Sequence, residues 1–167
     1  MSEANSEKEN IMRLLLSGQE ESIQLGLIIA ESLQLEREIK QDIDIALNWF
    51  TRQMHSSIQG KLKAIHKVKN VNLSGQDLTS IPCQIQYVIN LQSLDLSNNQ
   101  LVRLPPKITN CTNLTILNLT GNPLLFLPPG MNELTKLVKL SFVGTRIAAP
   151  ERERIRSALP NCETIFE

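Results

Sequence analysis

Two histidines, three cysteines and one run of lysines are the side chains in this sequence that could be turned to metal binding, nucleophilic catalysis or phosphate recognition. A zinc site needs Cys, His or carboxylate ligands at short, paired spacings. His55 falls on a predicted helix and His66 just before a repeated region, and neither has a cysteine or carboxylate spaced to complete a ligand set. Cys83, Cys111 and Cys162 are odd in number and contain no CxxC pair. No GxxxxGK[ST] or GxGxxG loop is present to cradle a phosphate, and no spacing nominates a Ser-His-Asp or Cys-His pair. We therefore expect no catalytic residue, no metal ligand and no cofactor, and the chain reads as not an enzyme.

Lys61, Lys63, Lys67 and Lys69, with His66 among them, are the one local hint of nucleic acid. Their spacing would align several ammonium groups on one side of an extended segment. No aromatic residue interleaves with them to stack on bases, so a charged junction is the expected reading and nucleic acid is not an expected partner. Two further polar residues, Asn99 and Asn122, recur at one repeat position just past an apolar alternation. There an amide can bond one donor and one acceptor of neighbouring backbone, which is a structural role. Gln76 and Thr145 hold that position in the outer copies, so a ladder of two amides is expected.

The element that must position these groups is a unit of 23 residues, repeated from Val68 to Leu159. Its clearest copies are LQSLDLSNNQLVRLPPKITNCTN (91–113) and LTILNLTGNPLLFLPPGMNELTK (114–136). Looser copies cover 68–90 and 137–159, the last losing the pattern past Ile147, as terminal repeats do. With positions counted from the first residue of each copy, position four holds Val71, Leu94, Leu117 and Leu140, and position six holds Leu73, Leu96, Leu119 and Phe142. That alternation places one short strand per copy, with these side chains inward and their neighbours outward. Positions eleven, fourteen and eighteen carry the apolar core round the bend. Pro82, Pro105 and Pro128 at position fifteen lack an N–H and fix φ, which favours a thin outer side over long helices.

The LxxLxLxxNxLxxLPxxI pattern resembles the intracellular LPxxI class of leucine-rich repeats found in Ras-suppressor-like and many bacterial proteins. The resemblance covers Val68 to Ile147. It implies an α/β fold: a right-handed solenoid with a short parallel sheet on its concave face, used to bind another macromolecule.

Residues 1–60 do not follow the repeat. Asn10–Leu16, ended by Ser17-Gly18, then Glu20–Leu33, then Glu36 to about Ser57 read as three helices, with Ile39, Ile43, Ala46, Leu47, Phe50 and Met54 as one apolar face. The expected organisation is a helical N-terminal arm or cap over 1–60 and, over 61–167, a solenoid of four repeats with a C-terminal cap. That cap would pair a short helix around Ile155, Ala158 and Leu159 with an extended segment through Cys162, Ile165 and Phe166.

Net charge is zero, but five Lys and Arg face ten Asp and Glu in 1–60, against twelve and seven in 61–167. Bulk attraction to nucleic acid or acidic lipid is not expected from such a balance. MSEANSEKEN is polar and lacks the basic start and following apolar run of a targeting signal, and the longest apolar stretches are too short to cross a bilayer, so a cytoplasmic monomer with no membrane partner is expected.

The expected function is a non-enzymatic protein-interaction module. Its partner-binding residues would be the outward ones on the sheet: Asn70, Asn72, Gln92, Ser93, Asp95, Ser97, Thr115, Ile116, Asn118, Thr120, Val138, Lys139, Ser141 and Val143. The alternative is a scaffold or regulatory segment of a larger assembly that contacts its partners through the helical arm, with Ile45 and Trp49 off the main apolar stripe as a second surface.

Overall fold

The computed structural model describes residues 3–50 and 57–166. Met54 and His55 lie outside the described residues; the third helix is described as far as Phe50, and Ser57, its expected end, instead caps the helix that follows. The chain divides into two compact units, Met1–Val68 and Lys69–Glu167.

The first unit is helical: α1 (Glu3–Leu15), α2 (Glu20–Ser32), α3 (Glu36–Phe50) and α4 (Ile58–Lys67). Its core joins Ile11, Met12 and Leu15 to Ile23 and Ala30, and Ile39, Ile43, Ala46 and Leu47 to Leu62 and Ile65. Burying these aliphatic side chains is what holds short helices that would be marginal alone. Gly26 of α2 faces α1 so closely that an added Cβ would come within 2.9 Å of Leu15 Cδ2. Lys8 of α1 bridges to Asp42 of α3 at 3.0 Å and to Glu38 at 3.4 Å. Burial works against its ammonium, but the two carboxylates outweigh that cost and hold its pKa above the ordinary lysine value.

The fourth helix corrects the extended reading of the lysine run and the boundary after residue 60, which falls inside α4. Its signals are ordinary ones. Ser57 caps the helix by accepting a hydrogen bond from the Gly60 N–H at 3.1 Å, and Ile58, Leu62 and Ile65 share one face. Gly60 sits in the first turn of α4. The helix also disperses the lysines: Lys61 pairs with Asp44, and Lys63 lies 3.9 Å from Glu20.

The second unit is a stack of coils. Five strands, β1 (Asn70–Asn72), β2 (Ser93–Asp95), β3 (Ile116–Asn118), β4 (Lys139–Ser141) and β5 (Glu163–Ile165), form one parallel sheet in sequence order. Asn70, Ser93, Ile116 and Lys139 are partners in register, so the 23-residue period of the sequence is the period of the coil. Leu91, Leu94, Leu96, Leu101, Ile108, Leu114, Leu117, Leu119 and Leu124 are fully buried in its aliphatic interior.

The return side is thin, as the prolines require. It consists of 3-10 turns at Cys83–Tyr87, Pro106–Asn110 and Met131–Glu133, the first two entered from Pro82 and Pro105 in extended conformation. Position eight of every copy has left-handed backbone: Gly75, Asn98, Gly121 and Gly144 have φ of 62°, 55°, 70° and 70°. Gly enters that region without steric cost and Asn at a low one, which is why this position carries them.

Past Ile147 the coil gives way to α5 (Ala149–Ala158), which buries Ile155 before Leu159 and β5 complete the cap. Phe166 then packs edge-on against Phe142 with ring centroids 4.2 Å apart, under the guanidinium groups of Arg152 and Arg156.

Candidate interaction surface

The strands present two parallel rows to solvent. One runs Asn70, Ser93, Ile116, Lys139, Glu163, and the other Asn72, Asp95, Asn118, Ser141, Ile165. The side chains between them, Val71, Leu94, Leu117 and Leu140, point into the core. Glu163 and Ile165 extend both rows by one strand beyond the residues expected from the sequence. Their 24-residue offset from β4 breaks the repeat, so only a local apolar alternation marked them.

The second row is partly engaged with its own backbone. Asn72, Asp95 and Asn118 each accept, through Oδ1, the N–H two residues on, from Ser74 at 2.9 Å, Ser97 at 2.9 Å and Thr120 at 3.2 Å. These Asx turns end the first three strands and steer the chain into the left-handed position eight. Thr115 Oγ1 likewise donates to the Gln92 carbonyl at 2.8 Å.

Among the remaining predicted positions, Asn70, Gln92 and Lys139 are exposed, while Ser93, Thr120, Ser141 and Val143 are half-buried. Ser97 is only 7% exposed, because the chain has already turned inward there. Two of the three apolar members are exposed as well, Ile116 at 43% and Val138 at 61%.

The rows are held rigid from behind by the two asparagines. Asn99 accepts from the N–H groups of Gln76 and Leu78, both at 3.0 Å, and donates to the carbonyls of Leu73, Leu96 and Ser97. Asn122 repeats the arrangement one coil on, accepting from Leu101 N–H and donating to Leu96, Leu119 and Thr120. Thr145 supplies part of a third rung, its hydroxyl donating to the Phe142 carbonyl at 2.8 Å. Gln76 is exposed and supplies none.

Neither the histidine nor the cysteines are drawn into a reactive group. His66 Nδ1 lies 3.3 Å from the Leu16 carbonyl within the helical unit. Cys111 is buried at position twenty-one, where burial pushes its thiol up to about 12. Cys162 is raised to about 11, by burial first and then by the Glu163 carboxylate. No group of three or more His, Cys, Asp or Glu able to hold a metal ion occurs among the described residues. No helix among them is long and apolar enough to cross a membrane.

Residues 89–129 match the family of leucine-rich repeats in two copies. The leucine-rich-repeat architecture recurs in solved structures. A Leptospira interrogans LRR protein is 36% identical with a TM-score of 0.61, the match covering 64% of this chain and 27% of that one. The leucine-rich repeat domain of APL1B is 25% identical with a TM-score of 0.53, over 69% of this chain and 37% of that one. Internalin C2 of Listeria monocytogenes, at 22% identity and a TM-score of 0.53, shares the fold over 74% of this chain and 52% of its own. The chain thus spans between about a quarter and a half of these proteins. No curated protein matches the sequence.

Proposed function

Because residues 69–167 form a leucine-rich-repeat solenoid, we propose that the chain is a non-enzymatic protein-interaction module, monomeric and cytoplasmic, that grips its partner on the solvent face of the parallel sheet. The observation that carries this reading is the apolar pair Ile116 and Val138, exposed among small polar neighbours. Exposed β-branched side chains on a rigid sheet offer contact area with little conformational entropy to lose on binding. Lys139 sits beside Ile116 in register and adds a charge that would select an acidic neighbour on the partner. The face has no Trp, Tyr or Arg anchor, so four or five strands alone fit an affinity on the order of micromolar.

The test is photo-crosslinking from position 116 in cells, followed by recovery of the same partner with Ile116→Arg and Val138→Arg variants. Loss of that partner from both variants is the expected result. Full recovery with either would remove the sheet face as the site. Arginine at position 95 or 118 would be a poor probe, since it also breaks an Asx turn.

A second reading is favoured by the helical unit, where Leu25, Ile28 and Leu33 are exposed. An α2 that is apolar on both sides suits a scaffold contact made through the arm. Ile45 and Trp49, the residues first suggested for that contact, are half-buried. Arginine at position 28 would abolish capture in this case and leave it intact in the first.

A further inference from the structure

A second concave surface lies on the same unit, away from the sheet. Repeat positions thirteen to sixteen of three successive coils line a groove of about 430 Å³, within the size range of ligand sites in proteins. Its floor is Ile81 and Leu104, both buried, and its rim includes Pro106, Pro129 and Phe126. Phe126 is 52% exposed, and Val102 and Leu125 next to the groove in sequence are exposed as well. Three of the eight large exposed hydrophobics of the described residues therefore fall in one short stretch of two repeats. Val102 and Leu125 hold the same repeat position in adjacent coils, so exposed apolar side chains gather on this side of the unit, where water alone offers them no partner.

Two features say what would cover it. Arg103 is the one charged residue among those lining the groove, is exposed, and forms no ion pair with any described residue. A guanidinium beside apolar walls is matched by a carboxylate, which it can hold through two parallel hydrogen bonds. Pro105, Pro106, Pro128 and Pro129 supply no N–H, so the walls offer few donors to a peptide backbone or to a chain terminus. Recognition must then come from side chains: an apolar one on the floor beside Phe126, and an acidic one on Arg103.

We propose that this groove is a docking site for an extended peptide segment of a partner protein that places an apolar side chain next to an Asp or Glu side chain. It is separate from the sheet face and does not depend on it.

Panning a random dodecapeptide display library against the full chain tests this, with the selected peptides then made synthetically and measured by fluorescence anisotropy. The expected peptides pair Leu, Ile, Val or Phe with Asp or Glu. Their binding should fall at least about tenfold with Arg103→Glu and with Phe126→Asp, and when their acidic residue is changed to Gln, while Ile116→Arg leaves it unchanged. Arg103 and Phe126 are exposed, and a thermal melt of each variant checks that the fold is intact. Recovery of no peptide, binding that survives both groove substitutions, or equal binding of the Gln peptides would each overturn the proposal. So would a site that follows Ile116 instead, which would leave the sheet-face reading standing.

Discussion

The backbone N–H of Leu127 donates to Oε1 of Glu151 at 3.1 Å, so a carboxylate of the terminal helix serves the coil whose own successor has lost the repeat. Arg154 completes the closure, donating to the Leu127 carbonyl at 2.9 Å and holding both oxygens of Glu151. The open end of a solenoid would otherwise leave these backbone groups without partners. Glu151→Ala should cost about 1–2 kcal/mol in urea unfolding at neutral pH.

The same pair predicts an acid dependence. The hydrogen bonds from Arg154, opposed by burial and helped by Leu127 N–H, hold the Glu151 carboxyl below its ordinary value of 4.5. A carboxyl with a lowered folded pKa stabilises fully above its unfolded value and loses that contribution as pH falls through the folded one. The stability difference between the native chain and Glu151→Gln should therefore be constant above about pH 5 and shrink in more acidic buffer. A difference that grows on acidification would contradict the pairing.

Asn99→Ala should leave the N–H groups of Gln76 and Leu78 without their acceptor, at about 1–3 kcal/mol or more. Gln76→Ala, at the same repeat position but exposed, should change stability by less than about 0.5 kcal/mol. Denaturant titration of the two variants measures the ladder directly.

Leu94→Ala and Leu117→Ala remove fully buried side chains shared between coils and should each cost about 2–5 kcal/mol. Lys139→Ala, on the outer row of the same sheet, is the matched control and should be nearly silent. Thr115→Ala is a poorer control, since its hydroxyl bonds the Gln92 carbonyl and its loss should cost about 0.5–1.5 kcal/mol.

Gly121 has φ +70°, and an added Cβ would lie 2.6 Å from Asn98 Oδ1. Gly75 shares the left-handed backbone, with φ +62°, but its Cβ would meet nothing within 4 Å. Gly121→Ala should therefore lower the thermal midpoint clearly more than Gly75→Ala, which carries only the left-handed strain of about 1–2 kcal/mol. Equal shifts would mean that Asn98 swings aside freely.

Thiol labelling of the native chain should proceed first at exposed Cys83, more slowly at Cys162, and at Cys111 only on unfolding. The thiolate is the reactive form, and burial withholds both it and the reagent. Modification of Cys111 at the rate of Cys83 would place position twenty-one outside the core.

The sequence by itself determined the coil. A period of 23 with leucine at alternating positions admits one way of burying Leu94, Leu96, Leu117 and Leu119 together, and the registers Ser93 with Ile116 and Ile116 with Lys139 follow from it. Asn99 and Asn122 were legible as backbone-satisfying amides for the same reason, because their position recurs where the strand ends. In the helical unit α3 is marked by apolar spacing, whereas α4 is obscured by lysines that suggested an extended segment despite the Ser57 cap.

What only the tertiary structure decided lies off the repeat. The pairing of Glu151 and Arg154 with Leu127, the pairing of the expected last extended segment with β4, and the ring contact of Phe166 with Phe142 join residues that no period relates. The accessible part of the sheet face was equally hidden, since Asp95, Asn118 and Ser97 look like surface residues in one dimension. Whether a polar side chain is free for a partner or taken by a nearby N–H depends on the local turn, and that is settled when the coil closes on its core.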